Sequence, residues 1–276
     1  MGETSFTIVV PLGGNPQAER ELLEIAAALT PAAGGDACAV VGVCAPGAER
    51  VGLGVGAGLP GAGGPAALHR PWGAAGPRLE VRSLAEPRLA TEWERIVAAA
   101  REVRPDLLLV DWDTWANPQR QPFGSSLDEI ARLAPCDVAA VKRGGLARVR
   151  QVLLPVRGGP QGLLTLRLAM ALAERHDATI TLLHVEQPGL PPEDDAAVRA
   201  QLDALLARGA HPARAQPAIT IAGSVEAAIA VEAEAHQVTI MGASPGDPGT
   251  PLLLGPVAEA VAARVSGTLI IVKARE

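Results

Sequence analysis

The chain carries the same arrangement of segments twice, and this duplication limits the folds that it can adopt. Residues 123–142 align with residues 254–273 without gaps, at an offset of 131. Two similar glycine-containing segments, VVPLGGNPQ at 9–17 and LLPVRGGPQ at 153–161, align at an offset of 144. A repeat of this length is typical of a duplicated domain rather than of a short solenoid unit.

The 276 residues therefore divide into two domains of ordinary size, predicted as residues 1–146 and 147–276. The two offsets differ because the first half carries about a dozen extra residues, which fall in a Gly-, Ala- and Pro-rich segment at 46–77. This segment contains a formal GxGxxG motif at 56–61, but Pro60 and further glycines follow where a dinucleotide site needs a helix. We interpret the segment as a loop.

Short apolar strands alternate with helical patterns in each half. Residues 107–110 (LLLV) have no polar alternation, which indicates a central strand covered on both faces. Alternating strands and helices with short links predict right-handed crossovers, and hence an α/β fold with a doubly wound parallel sheet in each half. The strands predicted for the second half are Val152–Pro155, Thr179–Val185, Ala218–Ala222, Val238–Met241 and Leu269–Val272.

Charge and composition argue against several classes of protein. The net charge of −6, with no long basic run, argues against a nucleic-acid partner and an anionic membrane surface. Neither lysine, Lys142 or Lys273, follows the glycines that a Walker-type loop requires. There is no signal-peptide pattern and no uninterrupted apolar window of about 18 residues. We expect a cytoplasmic protein without membrane insertion.

Cysteine and histidine usage predicts no metal site and no disulfide. Cys38 and Cys44 fall on one predicted strand, about 20 Å apart, and Cys136 stands alone. All three are expected to be small buried thiols in a reducing compartment. His184 is expected at a strand end, without the neighbours that a metal or a catalytic base would need. The other histidines are expected at the surface: His69, His176, His211 and His236.

Three segments of each half are expected to meet at the carboxyl ends of the strands, where doubly wound sheets bind ligands. They are the loop after the first strand, the loop after the fourth strand and the N-terminus of the last helix. Spacing links the last two, since Asp111 and Gly124 are 13 residues apart, as are Gly242 and Gly255. Glycines admit a close backbone approach and helix N-termini favour anions, so this edge is a candidate anion site.

The order of these segments, the glycine spacing and the endings APCDVAAVK (134–142) and SGTLIIVK (266–273) resemble the tandem members of the universal stress protein family. The segment FGSSLDEI (123–130) is also similar to universal stress domains attached to bacterial and archaeal membrane transporters. The resemblance implies Rossmann-like domains of the adenine nucleotide alpha hydrolase-like type. It also implies a non-enzymatic role in the stress response, a homodimer, a protein or transporter partner, and ATP or AMP as the ligand.

The resemblance also implies a nucleotide site, and the chain differs from the family's nucleotide-binding motif at several positions. Nucleotide-binding members place Asp after the proline of the first strand, where this chain has Gly13 and Arg157. Pro245 and Pro256 each remove an amide donor from the second half. The candidate nucleotide-binding residues are Pro155, Val156, Arg157, Gly158, Val185, Gly242, Ser244, Gly246 and Gly255 in the second half, and Gly124 and Ser125 in the first.

Arg157 has three interpretations: a phosphate ligand, a partner of an acidic residue such as Asp247, or a solvent-facing loop residue. The leading hypothesis for the whole chain is a non-enzymatic regulatory protein with degenerate nucleotide motifs. The alternative is a protein that binds ATP or AMP through its second domain. An adenylating pyrophosphatase is disfavoured because RGGPQG (157–162) lacks the serines and the aspartate of its loop. An electron-transfer flavoprotein would be identified by a bound yellow cofactor.

Overall fold

The fold comprises two α/β units, and the described residues of each unit include five strands. The computed structural model describes residues 5–12, 16–30, 38–44, 77–83, 91–112, 126–146, 148–157, 161–189, 192–207, 214–243 and 254–275. The first compact unit is Met1–Ala140 together with Arg275, and the second is Val141–Ala274. Several residues named above lie outside the described residues: Gly124, Ser125, Gly158, Ser244, Gly246, residues 46–76 of the Gly-, Ala- and Pro-rich segment, His69 and His211.

The first unit has the strand order β3-β2-β1-β4-β5. The pairs β1–β2, β2–β3 and β1–β4 are parallel, so the doubly wound arrangement predicted from the alternation is confirmed. The strands are β1 Phe6–Leu12, β2 Cys38–Cys44, β3 Arg78–Ser83, β4 Leu107–Asp111 and β5 Asp137–Lys142. The helices are α1 Pro16–Leu29, α2 Glu92–Val103 and α3 Ser126–Leu133.

The second unit repeats this order as β8-β7-β6-β9-β10, again with parallel pairs. Its strands are β6 Gln151–Pro155, β7 Thr179–Glu186, β8 Ala215–Ile221, β9 Val238–Gly242 and β10 Thr268–Lys273. Its helices are α4 Gln161–His176, α5 Pro192–Ala207, α6 Val225–Ala233 and α7 Pro256–Ala262. The equal strand orders confirm that the sequence repeat is a repeat of the fold.

The central strands are buried because their side chains are apolar on both faces. Residues 107–110 of β4 and 152–154 of β6 have no exposed surface, as expected for strands covered by helices on both sides. Helix starts are fixed by polar caps: the Thr91 hydroxyl accepts from the Glu94 amide, and the Ser224 hydroxyl accepts from the Ala227 amide at 3.1 Å. The Ser224 cap sets the position of α6, which matters for the site described below.

One strand begins earlier than the sequence predicts. β8 covers Ala215–Ile221 rather than Ala218–Ala222, so Pro217 lies inside it. β8 is an edge strand, and an edge strand tolerates proline because one side of it has no hydrogen-bonding partner. Among the described residues, no helix has the length and hydropathy needed to cross a bilayer.

Candidate ligand pocket of the second unit

A pocket of about 450 Å³ lies at the carboxyl ends of β6, β7 and β9. Parallel strands bring these ends to one edge of the sheet, and α4, α5, α6 and α7 supply the remaining walls. The described lining residues are Pro155, Val156, Arg157, Gln161, Gly162, Thr165, Leu183, His184, Val185, Gln187, Val198, Val225, Ile229, Met241, Gly242, Ala243 and Val257.

The pocket brings together many of the residues that the sequence singled out. Its lining includes five of the candidates: Pro155, Val156, Arg157, Val185 and Gly242. Gly255 lies next to the pocket as the N-cap of α7, whose second residue, Val257, lines it. The remaining second-half candidates lie outside the described residues, so the nucleotide-binding role assigned to the set stays a prediction.

The loop after β6 is held against β7 by two hydrogen bonds at Val156. The Val156 amide donates to the Leu183 carbonyl at 2.8 Å, and His184 Nδ1 donates to the Val156 carbonyl at 3.0 Å. Because a carbonyl only accepts, Nδ1 must carry the proton, which leaves Nε2 as the acceptor of the neutral ring. His184 therefore fixes the start of the loop that presents Arg157.

Gln161 lies directly against Gly242. A Cβ placed on Gly242 would lie 2.5 Å from Gln161 Oε1 and 3.1 Å from Gln161 Cβ, closer than ordinary contact allows. A side chain at position 242 would therefore require Gln161 to shift, whether or not a ligand binds. Sequence analysis missed Gln161, although it aligns with Gln17 at the 144-residue offset of the two glycine-containing segments.

The start of α7 differs from an anion-binding helix start. Gly255 has φ 84°, a conformation that favours glycine, and it provides no side-chain hydrogen bond to the helix. Pro256 follows at the first helical position, where its missing amide costs little. The helix has seven residues, and Val257 on it lines the pocket. Turn geometry and helix start therefore account for Gly255-Pro256.

The pocket lining is mostly apolar, with one cation and no carboxylate among its described residues. Arg157 and Gln187 are exposed, and Leu183, Ile229 and Met241 are buried. Exposure fits the solvent-facing interpretation of Arg157 and still leaves its guanidinium beside the pocket. Asp247, which sequence analysis considered as its partner, lies outside the described residues.

One of the predictions made for the histidines is wrong. His236 is buried rather than at the surface: Nδ1 donates to the Glu232 carbonyl at 2.7 Å, and Nε2 accepts from the Thr181 hydroxyl at 2.9 Å. These bonds satisfy both ring nitrogens, which is why burial is tolerated. His176 is half-buried, and burial followed by the nearby Arg175 lowers its pKa.

All three cysteines are free and buried, as predicted. Burial, reinforced by Asp137, raises the pKa of the Cys136 thiol to about 12. No group of three or more potential metal-binding side chains occurs in the part of the chain that the structure describes.

In the first unit, Asp111 stands at the position equivalent to Gly242. It ends β4 and is 4% exposed. The first unit therefore has a carboxylate where the second unit has a glycine without a side chain, so the two strand ends are chemically different. The helix start that follows in sequence, at Gly124-Ser125, lies outside the described residues, and α3 begins at Ser126.

Comparison with known proteins agrees with this architecture. The universal stress protein family model matches the chain twice, over residues 5–142 and 148–273. A universal stress protein from Archaeoglobus fulgidus is 13% identical, with a TM-score of 0.61 over 99% of this chain and 97% of its own. The cytoplasmic domain of a prokaryotic cation chloride cotransporter is 13% identical, with a TM-score of 0.63 over 98% of this chain and 95% of its own.

A curated relative is a membrane transporter. The Na(+)/H(+) antiporter NhaS5 of Synechocystis sp. is 30% identical over 110 residues, which are 39% of this chain and 16% of the antiporter. The chain thus spans a small part of that relative's length, and the two solved structures show the fold alone. The two family matches cover both halves, and the chain therefore belongs to the universal stress protein family, with two of its domains in tandem.

Proposed function

We propose that this chain is a non-enzymatic regulatory protein of the stress response whose second unit senses a small molecule, with degenerate nucleotide binding. The observation that supports it is a formed strand-end pocket carrying Arg157 where nucleotide-binding relatives have a carboxylate. Its volume of about 450 Å³ lies within the range of about 300–1,000 Å³ that is usual for ligand sites. A carboxylate accepts hydrogen bonds from a nucleoside, whereas a guanidinium can only donate them.

The polar groups of the pocket support binding rather than catalysis. The Thr165 hydroxyl lies 3.1 Å from the carbonyls of Gln161 and Gly162 and donates within its own helix. His184 donates to a backbone carbonyl. The described lining residues include no Ser, Cys, Lys, Asp or Glu, so no activated nucleophile with an adjacent base is formed from them.

The second candidate function is ATP or AMP binding by the second unit, and the presence of Gly242 and the Pro155–Arg157 segment in one pocket favours it. Calorimetric titration of the full chain with ATP and with AMP in magnesium buffer distinguishes this function from the leading proposal. We expect a dissociation constant above about 1 mM for either nucleotide, which means a binding free energy weaker than about 4 kcal/mol. Dissociation constants in the micromolar range, or conversion of ATP to AMP or ADP, would refute the leading proposal.

The substitution Arg157→Asp tests the reason for the expected weak binding. If the guanidinium is what opposes a nucleoside, Arg157→Asp increases ATP or AMP affinity, because it restores an acceptor at the end of β6. Arg150→Asp is the matched control, since Arg150 is also exposed but precedes β6 at the other end of the strand. Equal gains in both variants would trace the change to net charge rather than to the pocket.

We also propose a cytoplasmic homodimer that acts on a membrane-transport protein. The similarity to an antiporter over 110 residues supports a transport partner, and three free buried thiols support a reducing compartment. Light scattering on the purified chain tests the dimer, with an expected mass of twice 28.3 kDa. A mass of 28.3 kDa at micromolar concentration would contradict it.

A further inference from the structure

We propose that the pocket of the second unit binds an amphipathic monocarboxylate, with its apolar body inside the pocket and its carboxylate on Arg157. This inference rests on the proposed sensing function and names the class of its ligand. It follows from three properties of the described residues: the apolar walls, the single positive charge beside the pocket, and the side chain that covers Gly242.

The walls fit an apolar body. Five elements contribute apolar side chains to one cavity: Leu183, Val198, Val225, Ile229, Met241 and Val257. At the liquid volume of about 30 Å³ per water, the cavity corresponds to about 15 water molecules. Burying an apolar chain here is favourable because it removes both the chain and these walls from water.

The single positive charge beside the pocket matches a ligand that carries one negative charge. Arg157 is the single charged residue among the described lining residues. A carboxylate matches it in charge and can accept two parallel N–H bonds from a guanidinium. A phosphate monoester carries about −1.5 to −2 at pH 7, and a triphosphate carries more. The excess charge of a nucleotide would lie beside apolar walls without a partner among these residues.

Gln161 covers the backbone that a phosphate would need to approach. Its Oε1 lies where a Cβ of Gly242 would point, 2.5 Å from that position, so the open face of the glycine is already in contact with an amide side chain. The adjacent helix start provides no hydroxyl and carries a proline at its first position. Both features reduce the number of amides open to an oxyanion.

Decanoate is the probe, with decanol as its uncharged counterpart and AMP as the competitor. Their affinities for the full chain are measured by calorimetry, well below the concentration at which decanoate forms micelles. Arg157→Gln is expected to weaken decanoate binding by about two- to fivefold and to leave decanol unchanged, because an exposed ion pair contributes modestly. Arg150→Gln removes the same charge at the opposite end of β6 and is expected to change neither.

Gly162→Leu tests whether the probe occupies the pocket. Gly162 lines the pocket as the second residue of α4, and a Cβ there would meet only Leu205 methyls at 4.0 Å, so the start of a side chain fits at this position. The larger side chain fills pocket volume, and both probes should bind at least about tenfold more weakly. Far-UV circular dichroism of the variant checks that the fold is intact.

The inference is overturned if decanoate does not bind, if decanoate and decanol bind equally in the wild type, or if Gly162→Leu leaves decanoate binding unchanged. It is also overturned if AMP displaces decanoate at equal or lower concentration. Tight AMP binding or ATP turnover contradicts the proposed function as well. Absence of decanoate binding in a protein that also ignores nucleotides contradicts the inference alone.

Discussion

The contact between Gln161 and Gly242 predicts a specific coupling between two substitutions. In Gly242→Ala the new Cβ would lie 2.5 Å from Gln161 Oε1 and 3.1 Å from Gln161 Cβ, whereas ordinary contact begins near 3.4 Å. Either Gln161 or β9 must move by several tenths of an ångström, and overpacking of this kind costs about 1–3 kcal/mol. Replacing glycine also reduces the entropy of the unfolded chain, which offsets about 0.4–1 kcal/mol. We expect a net loss of about 0–2.5 kcal/mol, the difference between these two ranges.

Gln161→Ala should remove the part of this loss that comes from the amide end of the side chain. It deletes Oε1 and Cδ but keeps Cβ, so the 3.1 Å contact with position 242 remains and Gly242→Ala in that background is neutral or still mildly destabilising. The coupling energy from the double-mutant cycle is therefore expected to be about 0.5–1 kcal/mol. Gly223→Ala is the matched control, since a Cβ there meets no atom within 4 Å.

Urea unfolding at 25 °C measures these energies if the two units are followed separately. All four tryptophans, Trp72, Trp93, Trp112 and Trp115, lie in the first unit, so their fluorescence reports on that unit and should not change. Far-UV circular dichroism reports on both units and should show the shift. The contact is refuted if Gly242→Ala lowers the free energy of unfolding equally, within about 0.3 kcal/mol, in the wild type and in the Gln161→Ala background.

Two further predictions concern a buried thiol and a helix cap. Because burial raises the pKa of Cys136 from 9.0 to about 12, the thiol ionises in the unfolded chain first as pH rises above 9. The free energy of unfolding should then fall by up to about 1.4 kcal/mol per pH unit. The Cys136→Ala variant should not show this part of the decrease. If the slope of unfolding free energy against pH is the same in the variant and the wild type, the prediction is contradicted. Ser224→Ala removes the cap of α6 and should destabilise the second unit by about 1 kcal/mol in urea, whereas Ser224→Asn, which keeps an acceptor, should not.

The periodic parts of the fold could be predicted from the sequence because each depends on local pattern. The apolar run at 107–110 indicated a central strand, and β4 lies between β1 and β5 with these residues fully buried. Repeated alternation predicted parallel strands, and this in turn placed the loop after β6 and the end of β9 in one pocket. Five of the candidate residues line this pocket, and their role in nucleotide binding stays a prediction.

The finer features depend on contacts that the sequence pattern does not contain. His236 follows a helix and reads as a surface residue, but Thr181 on a neighbouring strand and the Glu232 carbonyl satisfy its nitrogens and permit burial. Pro217 reads as a loop residue until β8 is known to be an edge strand. Gly242 reads as a glycine that admits a ligand, and the structure adds a contact with Gln161 that the pattern does not show. In each case the tertiary arrangement supplies what the local sequence does not contain.

The equivalent positions of the two units show how one fold can present different sites. In the second unit, Gly242 has no side chain, and Gln161 lies in the space that a Cβ would occupy. In the first unit, Asp111 fills the equivalent position, and the equivalent Gln17 lies within 3.5 Å of Glu21 on its own helix. The residue that ends the fourth strand, Asp111 or Gly242, differs between the units, as does the residue in the loop after the first strand, Gly13 or Arg157. A ligand assigned to one unit therefore cannot be transferred to the other by its fold.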